Sequence, residues 1–303
     1  MSIVDLVLNI PLQHCNYGSP RKLPLKQVKV STIKVVCNSK SSFLAAADDN
    51  GEVKIIDIRQ QCLYKTLRAG HTSICSTVEF LPWRSWEVIS GGLDSMLMLW
   101  DFSKGRPYKV VDFATFDVSS SAAGRCVNPA FVHAIAVPEV DMLDKLDKIC
   151  AVARGDGAIN VINVETEMAS TKSKSSSNSR KVSHSRSKDG SSSSNTDADQ
   201  NEKKRLHLDY SLGGHTAAIS SLAFSMFGER GKFLISGGND KLVKVWNWSL
   251  CLDAGLSEDG NNDILHLNIE VPRKVNWLCT TSADTDNLVV CDTSKVVKVY
   301  SIA

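Results

Sequence analysis

The sequence predicts an all-β fold built from repeated antiparallel hairpins, and three observations predict it. First, VISGGLDSMLMLWDFS (88–103) and FLISGGNDKLVKVWNWS (233–249) share Ile-Ser-Gly-Gly, then an Asp, then a Trp. Each run alternates apolar and polar residues on both sides of a Gly-Gly-x-Asp turn, the pattern of a hairpin with one buried face. Second, a Gly-His pair precedes each run, His71 standing 29 residues before Trp100 and His215 31 before Trp246. Third, three weaker copies of the same plan occupy 27–59, 131–164 and 275–302. A spacing near 40 residues with several short strands per unit is the period of radially repeated sheets.

In chain order, residues 1–26 open with SIVDLVLNI, a remnant of a preceding unit or a strand that clasps one. Residues 27–59 give strands at IKVVCN, FLAAADDNGEV and KIIDIR. The first complete unit follows: GHTSICSTVEF, the loop LPWRSWE, VISGG, a turn at Leu93-Asp94, and MLMLWD. Residues 131–164 give FVHAIAV, KICAVARGDGA and INVINV, with LHLDYSL as a fourth strand after a long interruption. The second complete unit is GHTAAISSLAF, SMFGERGK, FLISGG, Asn239-Asp240 and LVKVWN. Residues 275–302 close with VNWLCTT, NLVVCDT and VVKVYSI, three strands without a fourth.

The two complete units resemble WD repeats, Gly-His and Trp-Asp both being present in the first. The resemblance implies a β-propeller, four antiparallel strands per blade around a central channel, with blades over 27–168 and 206–303. Five blades are readable, so a seven-bladed ring would be incomplete here. It also implies two buried tetrads, His71, Ser90, Asp94 and Trp100, then His215, Ser236, Asp240 and Trp246. A buried indole N–H or imidazole left unpaired costs about 1–3 kcal/mol, so each blade repeats the same solution. Ser, His and Asp together also invite comparison with a nucleophilic triad. Their recurrence in equivalent positions, each with a Trp attached and no nucleophile-elbow glycines, favours a structural role. Arg154-Gly155-Asp156 reads likewise as turn chemistry.

The interruption at 169–205 reads as a disordered loop. Residues 170–205 hold 13 Ser, nine Lys or Arg and four acids, too polar to offset their ordering entropy. Its basic Ser-rich first half carries the alternative function, association with nucleic acid or ribonucleoprotein, although no aromatic residues interleave it for base stacking. None of the nine cysteines falls in C-x-x-C spacing, and several lie in apolar runs. They are expected to be buried free thiols rather than zinc ligands or a disulfide framework. No metal-ligand cluster, phosphate-cradling glycine loop or paired carboxylates can be read, so the chain is expected to be no enzyme, without cofactor or small-molecule substrate. The N-terminus lacks a basic n-region, and no apolar stretch matches a bilayer, so an intracellular protein of cytoplasm or nucleus is expected.

Other proteins remain as partners. Strand order puts the a–b and c–d loops on one face, where LPWRSWE places Trp83, Arg84 and Trp86, the composition of binding hot spots. Some WD proteins that act as substrate receptors of cullin-4 ubiquitin ligases carry a strand-c box ending Trp-Asp-x-Arg that docks on the ligase adaptor. Here Asp57 and Arg59 match it, with Ile56 for Trp and Asn50 where Asp is usual. The next copy keeps Trp100 and Asp101, has Ser103 for Arg, and brings Lys104 one residue late. The copy at 246–249 has Asn247 and Ser249 instead. The resemblance thus implies a protein-interaction scaffold with the cullin-4 adaptor as partner.

Overall fold

Apolar alternation broken by Gly-Asp, Asn-Gly and Asp-Gly turns drives the chain into short hairpins, which form five sheets among the described residues. The computed structural model describes residues 13–14, 30–38, 41–60, 62–68, 70–115, 126–144, 146–175, 205–250 and 264–302. The first sheet holds β1 (Gln13–His14), β2 (Val30–Asn38), β3 (Ser41–Asp48), β4 (Val53–Asp57) and β5 (Cys62–Leu67). The second holds β6 (Cys75–Phe80), β7 (Glu87–Gly92), β8 (Met96–Asp101) and β9 (Arg106–Asp112). The third holds β10 (Val132–Ala136), β11 (Ile149–Arg154), β12 (Ile159–Asn163) and β13 (Leu206–Leu208). The fourth holds β14 (Ile219–Phe224), β15 (Leu234–Gly238), β16 (Leu242–Trp246) and β17 (Leu265–Glu270). The fifth holds only β18 (Val275–Thr280), β19 (Leu288–Asp292) and β20 (Val297–Tyr300). Successive strands pair antiparallel within every sheet; β1 alone pairs parallel, along the outer edge of β5.

Five blades of the expected plan are therefore present. One helix, α1 (Val164–Ser175), follows β12 directly. The last residue of INVINV and the start of the segment read as a disordered loop are thus helical, and residues 176–204 lie outside those described. Of 1–26, only β1 is described.

Four hydrophobic clusters of the described residues span seams between neighbouring blades, and a fifth, of Leu44, Ala46 and Ile56, lies within the first blade. Ile55 and Leu67 of the first blade meet Val78, Val88 and Trp100 of the second. Ile89 and Leu99 of the second meet Val132 and Val152 of the third. Ile159 and Leu208 of the third meet Leu222 and Trp246 of the fourth, whose Ile235 and Val245 meet Val275 and Val290 of the fifth. Among the described strands no comparable packing joins the fifth blade to the first. Val297 and Val299 of β20 are 58% and 50% exposed. The inner strands β6, β10, β14 and β18 line a cavity of about 810 Å³.

Both expected tetrads form. The Trp100 indole N–H donates to Ser90 Oγ at 2.8 Å, and Ser90 Oγ meets His71 Nε2 at 2.9 Å. His71 Nδ1 lies 3.0 Å from Asp94 Oδ1, and Asp94 also accepts the backbone N–H of Thr72. Trp246, Ser236, His215 and Asp240 repeat this at 2.9, 2.8 and 2.9 Å. Ser90 and Ser236 are fully buried, and each Oγ is engaged on two sides. That arrangement fastens strands b and c to the incoming turn and leaves no open hydroxyl for a substrate. The paired glycines have separate tasks. A Cβ at Gly91 would lie 2.2 Å from Val132 of the next blade, and one at Gly92 would lie 2.5 Å from His71 Nδ1.

The other three blades fasten the same two strands with different chemistry. At the register position of Gly92 stand Asp48, Arg154 and Asp292; at that of Met98 stand Lys54, Asn160 and Lys298. Asp48 pairs with Lys54 and accepts the N–H groups of Asn50 and Glu52. Asp292 repeats this with Lys298 and the Ser294 N–H. In the third blade the fully buried Arg154 binds Asp156 and Asn160 and lies over the Phe113 ring at 5.5 Å. Its guanidinium thus contacts the turn aspartate as the imidazole does in the second and fourth blades.

Among the described residues, cysteines 75, 126, 150, 279 and 291 form no disulfide, and burial pushes the Cys75 and Cys150 thiols up to about 12. Cys62 departs from the expectation of free thiols, since it is disulfide-bonded, to a cysteine whose side chain lies outside those described.

Candidate partner-binding face

The a–b and c–d loops meet on one face, and the seam between the first two blades gathers its aromatic residues there. Phe43 begins the described side chains of β3, Tyr64 lies on β5, Trp86 ends the a–b loop of the second blade, and Phe102 follows β8. Their ring centroids lie 5.3 Å apart for Phe43–Tyr64, 5.7 Å for Phe43–Trp86, 6.2 Å for Tyr64–Trp86 and 5.3 Å for Trp86–Phe102. Phe43 and Phe102 are buried, whereas Trp86 and Tyr64 are 45% and 38% exposed. Two buried rings thus support two rings open to solvent. Lys65 crosses the seam, its ammonium donating to Ser103 O at 2.5 Å and lying 5.9 Å from the Tyr64 ring centre. Sequence reading missed Tyr64 because β5 carries no repeat mark; its place beside Trp86 is set by the packing of two blades.

The expected hot-spot trio separates. Trp83 packs against the core between the second and third blades, and its indole N–H is buried without a hydrogen-bond partner among the described residues. Arg84 turns to α1. It makes a bidentate pair with Glu165 at 2.9 and 2.8 Å and reaches Glu87 at 3.0 Å. Burial would lower the Arg84 pKa, but the bonds to Glu165 and Glu87 outweigh it and raise it. Tyr108 donates to Glu87, and its pKa is pushed up by burial and by that carboxylate. Of the three only Trp86 is exposed.

Asp57 and Asp101 are turn formers. Asp57 Oδ1 accepts the N–H groups of Arg59 and Gln60, both at 2.9 Å. Asp101 Oδ1 accepts the Ser103 N–H at 3.0 Å, and Oδ2 meets the Lys104 ammonium at 2.7 Å. Lys104 and the Ser103 hydroxyl hold the Asp101 pKa down to about 2. Asn163 does the equivalent work in the third blade, accepting the N–H groups of Glu165 and Thr166 at the start of α1. The Asp at the end of strand c is thus spent on its own turn. What reaches solvent beyond it is the cation: Arg59 is exposed, and Lys104 retains 70% side-chain exposure.

Among the described residues no group of three or more His, Cys, Asp and Glu side chains is placed to hold a metal ion, and no helix is long and apolar enough to cross a membrane.

Comparison with known proteins agrees with this architecture. The family described as WD domain, G-beta repeat, matches residues 61–101 and 207–247, the segments that end in Asp101 and Asn247. The chain is 26% identical over 285 residues to "WD repeat-containing protein 53 homolog" of Dictyostelium discoideum, covering 88% of this chain and 66% of that protein. It is 28% identical over 118 residues to "Protein NEDD1" of Mus musculus, covering 35% of this chain and 17% of that protein. The chain therefore spans just under two thirds of the first relative's length. Among solved structures, the WD40 beta propeller domain of Doa1 superposes with a TM-score of 0.52 at 12% identity, over 86% of this chain and 60% of that one. With two matched repeats and five sheets of one plan, the chain is similar to proteins built as WD40 β-propellers, WD repeat-containing protein 53 homolog among them.

Proposed function

We propose that this protein is a non-catalytic scaffold that brings a substrate to a cullin-4 ubiquitin ligase, docking on the ligase adaptor through the face of Trp86, Tyr64 and Arg59. The carrying observation is the exposed Trp86–Tyr64 pair on a buried aromatic base, with an exposed arginine at the end of strand c. Preformed aromatic surface beside a cation suits a hot spot, because little side-chain freedom is lost on binding. Arg59 would form a charge-assisted bond with the adaptor. Asp57 contributes by fixing the turn that projects Arg59. Ile56, where the receptor box has Trp, is buried, so of Ile56, Asp57 and Arg59 only the arginine is exposed.

The direct test uses purified adaptor and immobilised full-length chain. Wild type is expected to retain adaptor, and Arg59→Ala and Trp86→Ala each to weaken retention at least tenfold, whereas Trp83→Phe leaves it unchanged. Equal retention by all forms would remove this face as the dock.

A further inference from the structure

The same seam has a charge pattern that specifies what it takes. Three carboxylates lie near the Trp86–Tyr64 shelf, and all are committed: Asp57 to its turn, Asp101 to its turn and Lys104, and Glu87, next to Trp86, to Arg84 and Tyr108. The cations there outnumber them. Arg59 and Arg106 are exposed and form no ion pair among the described residues, Lys104 is mostly exposed, and Lys65 bridges the two blades. Arg106 stands opposite Asp101 in the β8–β9 register, at the same end of its blade as Trp86.

We infer that the seam between the first two blades binds an acidic extended peptide segment of a partner protein. An apolar side chain of that segment would lie on Trp86 and Tyr64, and its carboxylates on Arg59 and Arg106. This inference rests on the proposed scaffold function and names the chemistry of the partner. Guanidinium groups hold carboxylates in planar, bidentate geometry, and an aromatic floor supplies apolar area at little entropic cost. The rings argue for a peptide over a single-stranded nucleic acid. Trp86 and Tyr64 lean together at 40° over shared support and form one shelf, whereas successive bases need separate stacking faces.

The test uses three labelled probes with the full-length chain at 50 and 150 mM salt: a twelve-residue peptide of Glu and Asp with a central Leu-Phe pair, the same peptide with Lys for every acid, and a twelve-nucleotide oligo-dT. Fluorescence anisotropy is expected to show saturable binding of the acidic peptide alone. Binding should weaken at least tenfold in Trp86→Ala and be abolished in Arg59→Glu/Arg106→Glu, whose exposed positions leave the melting temperature unchanged. Absence of saturable acidic-peptide binding, equal binding by the variants, or tighter binding of oligo-dT would each overturn the inference. The adaptor assay separates the two ideas. Adaptor retention that depends on Trp86 without acidic-peptide binding sinks only the inference, whereas acidic-peptide binding without adaptor retention sinks only the ligase reading.

Discussion

At the scale of single residues, the tetrad serine carries the most consequence. Ser90 is the acceptor for Trp100 and the neighbour of His71 Nε2, so Ser90→Ala strands two buried polar groups at once. A loss of about 2–3 kcal/mol is expected in urea unfolding, against under about 0.5 kcal/mol for the exposed Ser85→Ala. The titrating members set a pH dependence. Burial, opposed by the Asp240 hydrogen bond, holds the His215 pKa below its ordinary value. Burial alone would raise Asp94 and Asp240, but their histidine and backbone N–H bonds lower both. In each case the unfolded chain binds protons that the folded chain refuses, so stability is full at high pH and falls on acidification. The melting temperature should decline below about pH 6.5 through the histidine and again below about pH 3.9 through the aspartates; a flat profile from pH 7.5 to 5 would contradict the first step. The eight tetrad residues were legible because the same letters occur twice. The choice between Trp83 and Trp86 was not, because which of them faces solvent depends on a neighbouring blade that no local pattern specifies.

At the scale of elements, the strands could be read from period-two alternation, but the fastenings of the first, third and fifth blades could not. Asp48–Lys54, Arg154–Asn160 and Asp292–Lys298 occupy shared register positions with different side chains, so they become equivalent only once pairing is known. Asp48 is buried and its partner Lys54 largely so. Removing one member of a buried pair leaves an uncompensated charge, so Lys54→Met should cost about 3–5 kcal/mol, and Asp48→Asn/Lys54→Met distinctly less. Equal losses in the single and double variants, measured by denaturant unfolding, would show that the pair is not a fastening. The helix was missed for a related reason. VETEMASTKSKS has scant apolar periodicity; Val164 and Met168 pack against the core, and ion pairs add to that hold, Glu165 to Arg84 and the buried Glu167 to Arg205 at 2.5 Å and Lys109 at 3.7 Å.

At the scale of the whole molecule, the count and order of blades were readable because each unit restarts the same hairpin plan, while the flanks were not. Val297 and Val299 occupy the positions that Val243 and Val245 hold in the fourth blade, where the next sheet covers them. An exposed apolar edge strand invites pairing with other chains. Val297→Lys/Val299→Lys should therefore lower concentration-dependent light scattering without lowering the melting temperature; unchanged scattering would show that this flank is not the sticky one. The Glu167–Arg205 pair has a different bearing. It ties together the two ends of the stretch between α1 and β13, so the disc is moored before that stretch begins and after it returns. Lengthening a loop whose ends are already held adds little closure entropy. Foreign sequence spliced in between residues 176 and 204 should then leave thermal unfolding where it was, which would make this chain a ready carrier for a reporter domain or an affinity tag.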